Sequence, residues 1–166
     1  MDARRALLAE TIEVQVPFHD IDPAEIVWHG HYVRYLAQAR DALMNRIGYG
    51  HARMMATGDV FPIVDLRLRY LRPARLDQRL RVTAELVAAD PMLELRYAIT
   101  DADTGARLLR ARSKQVAVRR ADGRMASRAP AELLERIEAA RSGEATRSAD
   151  AVGATQSVSP AGSARS

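Results

Sequence analysis

The stretch Phe18-His19-Asp20-Ile21-Asp22-Pro23-Ala24-Glu25-Ile26-Val27-Trp28-His29-Gly30-His31-Tyr32 decides how this chain is read. It gathers Asp20, Asp22, three of the four histidines and the only tryptophan. Upstream, Thr11 to Phe18 alternates Ile12, Val14, Val16 and Phe18 with polar partners, the period of a half-buried strand, and Pro17 marks a strand end or an edge. Downstream, from His29 to Ile47, Val33, Leu36, Ala37, Leu43, Met44 and Ile47 recur at helical spacing until Gly48 and Gly50 stop them. The polar cluster therefore sits where a strand gives way to a long helix. A helix start offers unpaired N–H groups and the positive end of a dipole, which is a place for chemistry.

Four more strands follow, over Phe61–Leu71, Leu80–Ala88, Met92–Thr100 and Ala106–Arg120, punctuated by Pro73, Asp90-Pro91 and Asp101-Ala102-Asp103-Thr104-Gly105. In the last of them Arg110, Arg112 and Lys114 share the parity of Leu108, Val116 and Val118, which predicts a bulge or an exposed half. Pro130 fits the first position of a helix through Leu133, Leu134 and Ile137. Residues 1–141 thus read as a single domain, and residues 142–166, rich in Ser, Ala, Gly and Thr without periodicity, as a disordered tail. Strand, long helix, then a four-strand meander is an α+β order: a curved antiparallel five-stranded sheet wrapped around one long central helix. The exposed edges of such a sheet favour pairing with a second copy.

Composition narrows the function. Hydrophobic residues make up 48% of the 166 and charged residues 28%, a globular balance. There is no Cys, which excludes disulfides, thiolate nucleophiles and Cys-based metal sites. No signal-peptide core and no membrane-length apolar run is present, so a cytoplasmic protein without membrane partners is expected. The net charge of +4 comes almost wholly from Arg, which suits phosphates and carboxylates. With two Phe and one Trp for base stacking, nucleic acid is not the expected partner.

No glycine-rich phosphate loop and no nucleophile elbow occurs, and no cofactor or metal is expected: His29 and His31 lack an evident third ligand. Asp22, just before Pro23, has two readings. It is a turn or capping residue, or an acid held near a carbonyl whose oxygen meets helix N–H groups.

Asp22-Pro23-Ala24-x-Ile26-Val27-Trp28-His29-x-x-Tyr32, with Arg40 further on, resembles the signature of the 4-hydroxybenzoyl-CoA-type acyl-CoA thioesterases of the hotdog fold. Tyr70-Leu71-Arg72-Pro73-Ala74-Arg75-Leu76-Asp77 resembles that family's loop after its second strand, and the element order matches from about Thr11 to Ile137. The resemblance implies hydrolysis of an acyl-CoA or acyl-carrier-protein thioester at an interface between copies in a homodimer or homotetramer. It implies Asp22 as the carboxylate that attacks the thioester or activates water, and His29 as the residue whose N–H polarises the carbonyl. It makes Phe18, Glu25, Val27, Trp28 and Tyr32 substrate-binding positions. Phe18 stands where related enzymes often have tyrosine. Glu25 stands where the family usually has glycine, a residue that permits positive φ or close approach. Glu25 therefore motivates the alternative of a hotdog protein that binds acyl thioesters without hydrolysing them.

Overall fold

Period-2 and period-3.6 segments assemble here into one curved sheet with one helix laid across it. The computed structural model describes residues 4–155. In chain order these form β1 (Leu8–Gln15), a 3-10 turn (Phe18–Asp20), α1 (His31–Arg46), α2 (His51–Thr57), β2 (Asp59–Val60), β3 (Ile63–Tyr70), β4 (Arg79–Ala88), β5 (Leu93–Asp101), β6 (Arg107–Gln115), β7 (Val118–Arg119) and α3 (Ala131–Thr155). Five strands make one antiparallel sheet in the order β1-β4-β5-β6-β3, and β2 pairs separately with β7. This is the hotdog arrangement.

The order corrects the expected four-strand meander. Only β4, β5 and β6 follow one another as neighbours; β3 lies at the far edge beside β6. The connection between β3 and β4 cannot close as a hairpin because its backbone is engaged elsewhere. The N–H of buried Ala74 donates to Tyr32 Oη at 2.9 Å, and its C=O accepts from the Val27 N–H at 2.9 Å. Asp77, in the left-handed region at φ 61°, donates its N–H to the Val16 C=O, and the Gln78 C=O accepts from the Val16 N–H. The chain is so carried across the end of the sheet and enters β4 beside β1.

The expected irregularity in β6 is a bulge. Ile99 faces Leu109 while the next residue, Thr100, faces Arg107, so Leu108 is left over. Leu108 and Leu109 are consequently both buried, and Arg110, Arg112 and Lys114 beyond them point away from the core side occupied by Ser113 and Gln115.

The inner face of the sheet presents Leu80, Val82, Ala84 and Leu86 from β4 and Leu93, Leu95, Tyr97 and Ile99 from β5. Against them α1 buries Tyr32, Tyr35, Leu36, Ala39, Leu43 and Met44. That stripe is rotated from the expected one: Val33 and Ala37 are exposed, and two tyrosines stand in the core. Tyrosine is admitted because each hydroxyl has a partner, the Ala74 N–H for Tyr32 and the Asp20 carboxylate for Tyr35. Val33, Leu36, Ala37 and Arg40 instead line a small cavity of about 70 Å³ beside Ile63 and Leu66 of β3. The Arg40 guanidinium on this face donates to Gln115 Oε1 at 3.0 Å and to Asp41.

The boundary expected at residue 141 is not an element boundary. α3 runs on to Thr155, in keeping with the high helix propensity of its Ala, Glu and Arg residues, and residues 156–166 of the expected tail lie outside the described residues.

The junction between β1 and α1 is held by Asp20, a fully buried acid rather than a surface one. Its carboxylate accepts from Arg34 and from the Tyr35 hydroxyl, with His19 Nε2 and His31 Nδ1 at 3.5 and 3.7 Å, and its C=O accepts from the Trp28 N–H at 2.9 Å. Burial opposes ionisation, but the hydrogen bonds from Arg34 and Tyr35 outweigh it and hold the carboxyl below its ordinary range. A depressed folded-state value stabilises the fold above the unfolded pKa of about 4 and is lost as pH falls through the folded one. Asp20→Asn should therefore cost about 2 kcal/mol in urea unfolding at pH 7 and flatten the decline of stability below about pH 4; acid limbs of equal slope in variant and wild type would contradict this.

Candidate active site

Between Ile21 and Val27, which form an antiparallel bridge, the chain makes a tight loop with Asp22 on its rising side. The Asp22 N–H donates to the Ile26 C=O and its C=O accepts from the Glu25 N–H, both at 2.9 Å. Asp22 Oδ1 accepts from the Ala24 N–H at 2.8 Å, an Asx turn. The turn role expected of Asp22 is thus real, and it coexists with placement at a cleft. Glu25 completes the loop with φ 60°, the left-handed conformation for which glycine is favoured. The glycine expected at this position is therefore explained by backbone geometry.

The cleft has a volume of about 360 Å³ and is lined by Asp22, Ile26, Val27, His29, Tyr32 and the segment from Tyr70 to Pro73. Four of the seven site residues expected from sequence meet here: Asp22, His29, Val27 and Tyr32. Phe18, Glu25 and Trp28 do not line it. Phe18 is 80% exposed, the Glu25 side chain is turned to solvent, and Trp28 lies outside with its ring over Gly30 and against His29, centroids 4.7 Å apart.

His29 lies just before α1 rather than in its first turn, since Gly30 is the N-cap. Gly30 brings no capping side chain, and the first turn of α1 carries no acidic residue. The N–H groups of His29 and Gly30 have no acceptor among the described residues. The positive end of the helix is therefore left uncompensated beside the cleft, with amide donors to spare.

The resemblance over Tyr70 to Asp77 implies no site residue, yet that segment contributes to the cleft wall. Tyr70 Oη donates to the His29 C=O at 2.9 Å, and its ring meets that of Tyr32 edge to face at 5.5 Å. Burial pushes both phenols above their ordinary pKa, so they stay neutral donors or acceptors. Arg72 adds a cation to the cleft wall. The signal for these residues was the Arg72-Pro73 pair after a strand, but their place depends on the non-local Ala74 contacts. The arrangement joins an acid, a helix start with free N–H groups and a partly apolar hollow, a combination suited to acyl transfer at a polarised carbonyl.

Comparison with known proteins agrees with this geometry. The family model described as "Thioesterase-like superfamily" matches residues 16–137. A Synechocystis protein provisionally named an esterase (sll0410) is 31% identical over 127 residues, 76% of each chain. The acyl-CoA thioester hydrolase YbgC of Escherichia coli is 28% identical over 75 residues, which span 45% of this chain and 56% of that one. Among solved structures, TT1821 from Thermus thermophilus superposes with a TM-score of 0.72 at 25% identity, covering 78% of this chain and 98% of its own. A 4-hydroxybenzoyl-CoA thioesterase variant bound to 4-hydroxybenzoyl-CoA superposes at 0.69 with 23% identity and the same coverage, a likeness of fold. The chain belongs to the thioesterase-like superfamily of hotdog-fold thioester hydrolases.

Proposed function

We propose that this protein hydrolyses acyl-CoA thioesters, with Asp22 as nucleophile or general base and the His29 N–H as the donor that polarises the thioester carbonyl. The observation that carries the reading is that one cleft is lined by both Asp22 and His29, a residue whose N–H has no acceptor among the described residues. A donor of this kind contributes about 3 kcal/mol to stabilising a developing oxyanion. One Asp22 oxygen is spent on the Ala24 N–H, which fixes the carboxylate; Oδ2 has no partner among the described residues. Val27 and Tyr32 line the acyl side, and Arg72 is placed to grip a phosphate of coenzyme A. An acyl-carrier protein remains the other candidate donor of the thioester. The cytoplasm is the proposed location, on the sequence expectation given above.

The non-hydrolytic alternative loses its motive. Glu25 motivates that alternative, yet its exposed side chain is not part of the cleft wall, and its backbone takes the conformation that glycine would. Phe18 and Trp28, outside the cleft of one chain, fit as contacts made in an assembly. We propose a homodimer joined at β3, an edge strand on which Ile63 and Val64 are 45% and 58% exposed.

Three outcomes follow. Asp22→Asn should lower kcat on an acyl-CoA panel by about 10²–10⁴-fold with an unchanged far-UV spectrum; near-normal turnover would exclude the assigned role. Glu25→Gly relieves a left-handed residue and should raise stability by about 0.5–1 kcal/mol in urea while leaving kcat within a few-fold, whereas a gain of activity from nothing would favour the binding-only alternative. Val64→Lys should move the mass seen by light scattering from dimer to monomer, and an unchanged mass would place the interface elsewhere.

A further inference from the structure

The outer face of the sheet, away from α1, holds a band of arginines, four of which meet no carboxylate among the described residues. Strand register sets Arg67 opposite Arg112 and Arg112 opposite Arg96, and in the next row Arg69 opposite Arg110. Arg107 extends the row on β6. Like charges directly opposite one another weaken an antiparallel pair.

Elsewhere on this face pairing is the rule. Arg67 meets Asp65, Arg81 meets Glu13, Arg96 meets Glu85, Lys114 meets Glu94 and Arg79 meets Asp103. Arg69, Arg107, Arg110 and Arg112 meet no carboxylate among the described residues, and they are neighbours. All but half-buried Arg110 are exposed. The Leu108 bulge contributes directly, because it turns Arg110 and Arg112 outward on the same side as Arg107.

We propose that this band is a docking surface for an acidic helix of a partner protein. The Cβ atoms that carry its guanidinium groups stand about 5 Å apart across strands and about 7 Å apart along one. Carboxylates three and four residues apart on a helix have a similar spacing, about 5–6 Å between Cβ atoms, and arginine binds carboxylates as a fork. The band is narrow. Asp65, Glu94 and Glu85 border it, and they would repel a broad anionic surface such as a lipid bilayer or a long polyphosphate chain. A single acidic ridge avoids them. Between the arginines the outward positions are Ala98, Thr83 and Thr100, so no aromatic platform for nucleobases is present.

The surface is separate from the Asp22 cleft, and the inference does not rest on the proposed hydrolysis. The test titrates the full chain with a stapled helical peptide bearing Glu on one face, followed by the Arg Nε–Hε resonances. Controls are the same peptide with Gln for Glu, duplex and single-stranded DNA, and phosphatidylserine vesicles. Shifts confined to the band are expected, with affinity at least about tenfold weaker for the Gln peptide and for the R69S/R110S/R112S variant, and weaker again at raised salt. The single change Arg110→Thr should at the same time raise Tm by about 1–3 °C, because a like-charge pair is removed. Tighter binding to DNA or vesicles than to the Glu peptide would overturn the proposal, as would equal binding by the triple variant or no binding at low salt.

Discussion

The backbone of one residue, Ala74, fastens the connection on which the strand order and the cleft depend. Its N–H is taken by Tyr32 in the first turn of α1 and its C=O by Val27 in the loop before that helix. Both groups are buried and both are satisfied, so breaking either contact would leave a polar group unpaired at a cost of about 1–3 kcal/mol. Because the connection is fastened there, β3 cannot turn back on β4, and the sheet takes its crossed order. The same fastening lays Tyr70 to Pro73 against the loop of Asp22. The strand order and the composition of the cleft are thus two results of a single constraint.

The balance of forces around the site is uneven by construction. On one side of the junction, Asp20 is surrounded by Arg34, Tyr35, His19 and His31, with its charge fully engaged. Two residues later, Asp22 uses one oxygen in a local turn and keeps the other free among the described residues. Two carboxylates of one short segment are therefore assigned opposite tasks by their surroundings, one to hold the loop and one to face the cleft. The helix start behind them remains uncapped by any side chain, which preserves donors that a Ser or Asp at position 30 would have consumed.

Much of this was legible in the residues. Alternation located the strands to within a few positions, and the conflict of parity in Ala106–Arg120 announced the Leu108 bulge, since a one-residue insertion is what reverses a period of two. The crossed order was not legible, because a loop's path depends on distant hydrogen-bond partners rather than on its own composition. The place of Tyr32 and Tyr35 in the buried stripe of α1 is hidden from periodicity for a related reason: a tyrosine counts as core only once its hydroxyl has found a partner. Val27, His29 and Tyr32, which the family resemblance marks beside Asp22, line the cleft with it, whereas the place of Tyr70 and Arg72 required the fold.

The position of the single tryptophan has a practical side. Trp28 lies against His29 with the two rings tilted, is 46% exposed, and precedes a residue that lines the cleft. Its ring lies so close over Gly30 that a Cβ there would fall 2.0 Å from it, so this place of the indole depends on glycine at position 30. With no second indole in the chain, emission excited at the red edge of the indole band, beyond tyrosine absorption, reports on that spot. The protein thus carries its own optical probe against a residue of the cleft wall, able to follow a ligand that reaches His29 without any label.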